Sequence, residues 1–266
     1  MLRVLVNPFR LLYMLSARPR EFWDRASAIA SSRWEASRGN RGLYRATDPR
    51  AARRVLSEAL RPEFRERFLE PALAEISTYV REGQSASSHG PFPAIYNGDS
   101  ALAAFCYAVT RALHPKHAVE TGVCYGVTSA HILKAMEMNG EGHLDSIDVP
   151  PLGKDADKQV GRFIPEELRS RWTLHRGMSR RLLRPLLDQL GSIDLFVHDS
   201  LHTYENMRDE FAVAWPSLRR GGVLVSDDVQ GNSAFQELAA RPDVAAHVVV
   251  QEQGKNALFG VAVKRK

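Results

Sequence analysis

The chain has 266 residues, of which 44% are apolar and 25% charged, a composition typical of a globular protein. This length is enough for one α/β domain with an extension. No apolar run reaches the roughly 18 residues needed to cross a bilayer, so the sequence predicts no membrane span. With only two cysteines, Cys106 and Cys124, a disulfide framework is excluded, which favours a reducing cytoplasm as the location.

The excess basic charge lies in the first third of the chain. Residues 1–90 contain 16 arginines and 10 acidic residues, whereas the remainder contains 20 basic and 21 acidic residues. The arginines are interleaved with acids, as in RPEFRERFLEPALAE, which is typical of a solvated amphipathic helix. The sequence has neither zinc-finger spacing nor the aromatic pattern of an RNA-binding module. We therefore expect no nucleic-acid partner.

Residues 1–90 are predicted to form a helical extension. Its longest helix is expected from about Ala51 to Arg81, and the glycine-, serine- and proline-rich segment EGQSASSHGPFP then marks a linker or loop. The apolar and basic start is interpreted as a helix that packs on the body or on a partner, because no cleavage site follows it. Attachment to a membrane surface is the alternative. The length and amphipathic pattern of the extension predict a lid or the interface of a homo-oligomer.

From residue 91 to residue 266 the pattern changes to strands that alternate with helices. The predicted strands are HAVETG, GHLDSIDV, WTLHRG, IDLFVHD and GGVLVSDDV, followed by two β-rich runs, VAAHVVVQEQ and NALFGVAVKR. This order predicts a Rossmann-like, doubly wound α/β domain with a seven-stranded, mostly parallel sheet and a terminal antiparallel hairpin.

Glycines and acids follow the first two predicted strands, at the edge where parallel sheets bind ligands. In VETGVCYGVTSAHIL, Gly122 and Gly126 allow a tight turn that points the next helix N-terminus at a ligand. Glu120 could bind a cationic amino group, and Asp148 could accept both hydroxyls of a ribose. Dehydrogenases use the spacing G-x-G-x-x-G, in which one glycine makes room for a pyrophosphate. The spacing here is G-x-x-x-G, which lacks that glycine and suits a ligand with an ammonium group and no pyrophosphate. A structural strand–helix turn with an incidental acid is the alternative.

With these residues the chain resembles the class I S-adenosylmethionine-dependent methyltransferases. It is most similar to the metal-dependent O-methyltransferases of the macrocin-type sugar, catechol and caffeoyl-CoA groups. The resemblance covers about residues 92 to 266 and implies S-adenosylmethionine as cofactor. The residues that it assigns to cofactor binding are Glu120, Gly122, Gly126, Thr128, Asp148, Ser179 and Asp199.

Two further segments are aligned with cofactor contacts by this resemblance. In HRGMSRRLL, Ser179 is preferred over Met178 as the residue near adenine, because many relatives have an acid where Met178 stands. In YNGDSALAAF, Asn97 and Asp99 are candidates, although Asp99 could equally cap the following helix.

A third polar group follows two neighbouring strands of the predicted sheet. IDLFVHDSLHTYENM places Asp199 after an apolar strand, and Asp227 and Asp228 follow the next strand. Carboxylates at one edge repel each other unless a cation lies between them. The sequence therefore predicts a divalent metal, most simply Mg²⁺, bound by Asp199, Asp227 and Asp228. The alternative is that Asp227 or Asp228 caps the next helix or loop.

His202 stands three residues after Asp199, where the resemblance implies that related enzymes carry a lysine base. Because histidine titrates near neutrality, we predict His202 as the general base; a structural histidine at the helix start is the alternative. Strand alternation turns His198 away from Asp199, so His198 is predicted to be structural. Tyr204 is predicted either to line the acceptor pocket or to be a core residue. Many relatives have the pattern acid-Gly-acid-His in this segment. This chain has Ser200 and Leu201 in place of the glycine and the second acid, so the role of that acid is not carried over.

Together these features predict methyl transfer from S-adenosylmethionine to a hydroxyl of a small molecule, with His202 and Asp199 as catalytic residues. A sugar or glycosylated metabolite is the first choice of acceptor, because the local motifs resemble the macrocin-type enzymes. A catechol or another phenol is the second choice. A protein that binds the cofactor without methylating, or a hydroxylase-like protein, is the alternative from a different class.

Overall fold

The computed structural model describes residues 14–38, 42–85, 100–150, 155–251 and 257–266. Within these ranges, the strands are β1 His117–Thr121, β2 His143–Asp148, β3 Trp172–Arg176, β4 Ile193–His198, β5 Leu218–Ser226, β6 Val244–Gln251 and β7 Leu258–Lys264. They form one sheet in the order β3-β2-β1-β4-β5-β7-β6. The first five strands pair in parallel, and β7 pairs antiparallel with both β5 and β6. The predicted fold class, with its terminal antiparallel hairpin, is confirmed.

The helices of the described residues precede the sheet and connect its strands. The α-helices are α1 Pro19–Arg38, α2 Pro49–Ala59, α3 Pro71–Ser85, α4 Ser100–Leu113, α5 Val127–Asn139, α6 Ala156–Gln159, α7 Ser179–Leu190, α8 Tyr204–Ser217 and α9 Ala234–Ala239. Short 3₁₀ helices span Pro62–Leu69, Glu166–Arg171 and Val229–Gly231. Among the described helices, none combines the length and the apolar character that crossing a membrane requires.

The prediction of one helix from about Ala51 to Arg81 is wrong. The structure divides this stretch into α2, the 3₁₀ helix Pro62–Leu69 and α3. Pro62 and Pro71 each begin a new element. Proline has no backbone N–H and its ring clashes with the preceding turn, so it is favoured at the start of a helix and is unfavourable in the interior of one. Most of the predicted linker EGQSASSHGPFP lies outside the described residues, and its first four residues end α3.

Alternate residues of each central strand enter two separate cores, one on each face of the sheet. Ala118, Leu195 and Val197 lie in the core that contains α2, α3, α4 and α5. Val119 and Phe196 lie in the opposite core with α7, α8 and α9. Because both faces are covered, most residues of the central strands β1, β4 and β5 are buried.

The described helices α2 and α3 share the core of the sheet and do not form a separate body. Leu56 of α2 and Phe64 of the following 3₁₀ helix are completely buried in the same core as the β1 residue Ala118. Thr47, just before α2, forms an isolated parallel bridge with Val250 of β6. Its N–H donates to the Val249 carbonyl at 2.6 Å. The segment from residue 42 to residue 85 therefore covers one face of the sheet.

The carboxyl ends of the central strands are aligned, and their hydrogen-bond ladder continues past the last strand residues. Thr121 of β1 lies beside His198 of β4, and His198 lies beside Ser226 of β5. Beyond these residues, the Asp199 N–H donates to the Thr121 carbonyl at 2.7 Å. The Asp227 N–H donates to the His198 carbonyl at 2.9 Å. The ladder thus fixes Asp199 and Asp227 side by side at one edge of the sheet.

Candidate active site

The loop after β1 requires glycine at its first position. Gly122 has a φ of +86°, and a Cβ at this position would overlap the Asp199 carbonyl oxygen. Gly126, with a φ of +87°, is the N-cap residue of α5, and its Cβ would lie 2.9 Å from the Gly161 Cα. Both conformations strongly favour glycine. The contact with Asp199 means that the glycine loop and the acidic end of β4 form one continuous surface.

Asp148, at the end of β2, holds the glycine loop. Its Oδ2 accepts hydrogen bonds from the N–H groups of Cys124 at 2.9 Å and Val123 at 3.2 Å. Burial raises the pKa of Asp148, and these backbone bonds oppose the effect. The Gly177 N–H donates to the Asp148 carbonyl at 2.9 Å, and Ser179 begins α7 two residues later. The two segments predicted to contact the nucleoside are therefore adjacent.

Glu120 is completely buried at the end of β1. Its Oε2 accepts hydrogen bonds from the hydroxyls of Ser129 at 2.6 Å and Ser146 at 2.8 Å. Among the described residues, its Oε1 has no hydrogen-bond partner. Burial raises the pKa of Glu120 to about 7, although the two serine hydrogen bonds lower it. A buried carboxylate with one unsatisfied oxygen can accept a cationic donor, which would also restore its charge.

Asp199, His202 and Asp227 converge at the ends of β4 and β5. One potential ligand atom from each of them lies within 4.8 Å of the others. The His202 Nε2 is 3.7 Å from Asp199 Oδ1, and about a quarter of the His202 side chain (26%) remains exposed. The three side chains thus form an accessible cluster of nitrogen and oxygen donors, next to the glycine loop.

Electrostatics within this cluster favour a cation. Burial and the neighbouring charge of Asp227 raise the pKa of Asp199 well above its usual value. Burial and the charge of His198 lower the pKa of His202 to about 4, so its imidazole is neutral near pH 7. Closely spaced carboxylates become more acidic again when a cation compensates their charge. The donor set suits a divalent metal with oxygen ligands.

Asp228 occupies a different position from that of the other two acids. Its backbone has a φ of +48°, the left-handed conformation, which aspartate tolerates better than most residues. Its Oδ2 lies 3.9 Å from the His202 Nε2, and its Oδ1 accepts a hydrogen bond from the Gln230 amide at 3.0 Å. The structure therefore groups His202 with Asp199 and Asp227, while Asp228 borders this cluster next to His202.

A buried glutamate in α8 supports the loop that carries His202. Glu210 accepts hydrogen bonds from Thr121, His198, Ser200 and Asn206 at distances of 2.6 to 3.0 Å. Burial alone would raise the pKa of Glu210, but the charge and hydrogen bond of His198 lower it to about 2. His198 is completely buried, and its ring lies 5.4 Å from that of His202 in a T-shaped arrangement.

Sequence reasoning missed Glu210 and the two serines that hold Glu120. Glu210 is an acid in the middle of a charged helical stretch, RDEF, which is usually a solvated face. Ser129 lies in the first turn of α5 and donates to Glu120 of β1, and Ser146 is beside Glu120 in the neighbouring strand. The alternation of β2 could have indicated that Ser146 lies on the same face as Asp148.

The other predicted residues are placed as follows. Thr128 is almost completely buried in the first turn of α5. Tyr204 begins α8, and its hydroxyl donates to Glu237 at 2.9 Å at the protein surface. Asn97 and Asp99 lie outside the described residues.

The order of the strands, with β7 inserted antiparallel between β5 and β6, and a glycine loop after β1, define the class I methyltransferase fold. Residues 119–229 match the family model described as a methyltransferase domain. The resemblance predicted from the sequence is confirmed: the chain has the class I methyltransferase fold, and its residues 119–229 are similar to a methyltransferase domain. No curated protein sequence gave a significant match.

Several solved structures share this fold. One is the O-methyltransferase TomG from Streptomyces achromogenes, involved in tomaymycin synthesis and solved with S-adenosylmethionine. It has a TM-score of 0.55 and 19% identity, over 74% of this chain and 91% of TomG. A candidate O-methyltransferase from Klebsiella pneumoniae has a TM-score of 0.51 and 18% identity, over 81% and 97% of the two chains. A candidate caffeoyl-CoA O-methyltransferase from Staphylococcus aureus has a TM-score of 0.53 and 11% identity, over 71% and 91%.

Proposed function

We propose that the protein transfers a methyl group from S-adenosylmethionine to a hydroxyl of a small molecule. The observation that carries this proposal is the direct approach of the glycine loop at Gly122 to the backbone of Asp199. The predicted cofactor loop and the acidic cluster therefore share one surface at the carboxyl edge of the sheet, where α/β proteins bind ligands. A methyl donor and its acceptor need this proximity.

The residues around the glycine loop fit the chemistry of S-adenosylmethionine. The unsatisfied Oε1 of Glu120 is suited to the ammonium group of the methionine part, directly or through water. Asp148, beside the loop amides, is suited to the ribose hydroxyls, and Ser179 to the adenine side. Thr128, in the first turn of α5, would meet the carboxylate near a helix N-terminus, where anions are favoured. The cofactor supplies an electrophilic methyl group on a sulfonium.

The acidic cluster fits a divalent cation, with Asp199 and Asp227 as ligands and Asp228 or His202 completing the set. The clustered donors and the raised pKa of Asp199 support this assignment, because an added positive charge would relieve the repulsion between carboxylates. Bound Mg²⁺ would lower the pKa of a coordinated acceptor hydroxyl.

His202 is the residue that we propose as the general base. Its neutral imidazole has an available lone pair, and the Nε2 is the nitrogen that faces Asp199 and Asp228. His202 would accept the hydroxyl proton as the acceptor oxygen takes the methyl group. Bound S-adenosylmethionine would supply that methyl group from its sulfonium, and the sulfur would keep the electron pair of the broken carbon–sulfur bond. A base with a pKa of about 4 is weak, so it requires an acidified hydroxyl.

The class of acceptor, the cellular location and the oligomeric state are also proposals. We infer a sugar or glycosylated metabolite as acceptor, on the macrocin-type resemblance of the sequence around Tyr204. Neither Cys106 nor Cys124 forms a disulfide, which favours a cytoplasmic location. A homo-oligomer through the N-terminal helices is expected and can be measured by light scattering after size-exclusion chromatography.

Calorimetric titration of the chain with S-adenosylmethionine tests the proposal first, and an absence of binding would refute it. If the cofactor binds, incubation with panels of sugars and phenols, followed by mass spectrometry, should detect a methylated product. Turnover should stop on chelation and return with Mg²⁺. Turnover that survives exhaustive chelation would remove the metal from the mechanism, and binding without transfer to any acceptor would favour a non-catalytic role.

A further inference from the structure

One face of helix α1 carries polar side chains that contact both halves of the proposed site. Glu21 and Arg25 are four residues apart, as are Ser31 and Glu35, and Asp24 follows Glu21 by three, which are the spacings of one helical face. The helix has 20 residues and lies outside the part of the chain that matches the methyltransferase domain.

The first part of α1 is anchored beside the predicted nucleoside pocket. Glu21 accepts hydrogen bonds from Arg176, at the end of β3, at 2.9 Å and from Arg25 at 2.7 Å. Arg25 also donates to the Pro150 carbonyl at 2.6 Å, two residues after Asp148. Burial would raise the pKa of Glu21, but the bonds from Arg176 and Arg25 lower it to about 2. These ionised, partly buried contacts are stronger than ordinary surface ion pairs.

A second anchor follows one turn later. Asp24 is almost completely buried, and it accepts two hydrogen bonds from the guanidinium of Arg181, at 2.5 and 2.8 Å. Arg181 lies in the first turn of α7, two residues after Ser179. The start of α1 is thus attached to the two segments that border the predicted ribose and adenine positions.

The last part of α1 is attached to the other half of the site. The Glu35 carboxylate accepts hydrogen bonds from the N–H groups of Tyr204 at 2.6 Å and Glu205 at 3.0 Å. These are the first two residues of α8, and their N–H groups have no partner within the helix. A carboxylate at this position satisfies both donors and interacts favourably with the helix dipole. The loop that carries Asp199 and His202 ends at this point.

The loop that carries Asp199 and His202 also accepts a hydrogen bond from α8. Asn206 donates to the Leu201 carbonyl at 2.9 Å and to Glu210 at 3.0 Å. The loop is therefore fixed between the buried Glu210 network and Glu35.

We propose that α1 is a clasp that spans the site, with Glu35 as a positioning residue for the His202 loop and with Glu21 and Asp24 as its anchors. The clasp rests on the proposed function for its role in catalysis. It couples the nucleoside side to the chemical side, so that release of either end of α1 loosens the loop from Asp199 to Thr203. Exchange of the cofactor then requires the ion pairs of Glu21 and Asp24 to open.

Hydrogen exchange of the free chain tests the clasp without a cofactor or an acceptor. Glu35→Gln should accelerate exchange at the amides of Tyr204 and Glu205 about tenfold, because a neutral amide is a weaker acceptor for these donors. Glu21→Gln should accelerate exchange at the same amides, although Glu21 contacts neither of them. The double variant should add little to either single change, whereas independent distant sites would combine additively in free energy.

Arg33→Gln is the matched control, since Arg33 is an exposed residue of the same helix. It should leave exchange at Tyr204 and Glu205 unchanged. Thermal unfolding of all variants should remain cooperative, which separates a local release from general destabilisation. If these amides exchanged at the wild-type rate in Glu21→Gln, the proposal of a clasp would be refuted. Full additivity of the free-energy changes in the double variant would refute it as well.

Dissociation of S-adenosylhomocysteine gives a second, separate measurement. Displacement by excess S-adenosylmethionine should be about tenfold faster from Glu21→Gln than from wild type or Arg33→Gln. Equal rates would overturn the role of the clasp in cofactor exchange. Failure of the wild type to bind either compound would instead refute the proposed function, and the exchange measurement would still decide whether α1 holds the loop.

Discussion

Glu120 combines complete burial with an acceptor oxygen that no described residue satisfies. Because its pKa is raised to about 7 by burial, the carboxyl is partly protonated in the free protein near neutrality. An ammonium group placed against Oε1 would favour the ionised form, so cofactor binding should release part of a proton between about pH 6 and pH 8. Calorimetry in two buffers of different ionisation enthalpy measures this release.

In Glu120→Gln this proton release should disappear, and cofactor affinity should fall at least about tenfold, because a charged hydrogen bond is lost. Comparison with the wild type removes any contribution from the amino group of the ligand. The same buffer dependence in both proteins would exclude Glu120 as the group that meets the ammonium.

His202 can act as a base or as a metal ligand, and one pair of variants distinguishes the two roles. If it is the base, His202→Ala should lower turnover by roughly 10²- to 10⁴-fold and leave Mg²⁺ affinity unchanged. Asp227→Asn should weaken Mg²⁺ binding in either case. Calorimetric Mg²⁺ titrations and turnover with an acceptor found by screening provide the two measurements. Unchanged turnover of His202→Ala would return this residue to a structural role.

At the scale of single elements, the turn after β1 shows why a local pattern can identify a site. Gly122 and Gly140 both have positive φ values, +86° and +75°. A Cβ at Gly140 would have no heavy atom within 4 Å, whereas one at Gly122 would overlap the backbone of Asp199. Alanine substitutions at the two positions therefore separate two free-energy costs, that of the left-handed backbone conformation and that of steric overlap.

Gly140→Ala should lower the free energy of unfolding by about 1 to 2 kcal/mol, the cost of the left-handed conformation. Gly122→Ala should lower it by a further 1 to 3 kcal/mol or so, because backbone atoms cannot rotate away from the added methyl group. Urea denaturation measures both values, and only Gly122→Ala should weaken cofactor binding. Equal losses in the two variants would show that the contact with Asp199 is not restrictive.

The element boundaries that the sequence predicted correctly depend on local alternation, and the main error came from ignoring proline. Each of the strands β1 to β5 overlaps the segment predicted for it, and β5 begins at Leu218, three residues before its predicted segment. The predicted long helix is divided at Pro62 and Pro71, each of which begins a new element and lacks the N–H that would bond to the preceding turn. Amphipathic periodicity extends across both prolines, so periodicity alone could not show the breaks.

At the scale of the whole molecule, the N-terminal region is predicted to be inseparable from the sheet. Leu56, Phe64 and Ile76 are buried in the core that covers one face of the strands. A chain that begins at residue 91 should therefore expose this face, lose cooperative thermal unfolding and bind a hydrophobic dye. Differential scanning calorimetry measures the cooperativity of unfolding, and dye fluorescence measures the exposure of the apolar face.

A chain that begins at residue 42 is the control for this truncation. It retains α2 and α3 but lacks α1, so it should unfold cooperatively, with a lower midpoint, and exchange faster at Tyr204 and Glu205. If the chain from residue 91 unfolded with the same cooperativity and midpoint as the intact protein, the first 90 residues would be an independent extension.

The sequence by itself determined the sheet, the glycine loop and the meeting of Asp199 with Asp227. These features follow from local patterns, since parallel strands of similar length bring their carboxyl ends to one edge. Only the tertiary structure decided the role of Glu210, the position of Asp228 and the contact of Glu35 with α8. Glu35 and Tyr204 are 169 positions apart, and no local periodicity encodes which face of α1 docks over which strand ends. That choice depends on the packing of the whole chain.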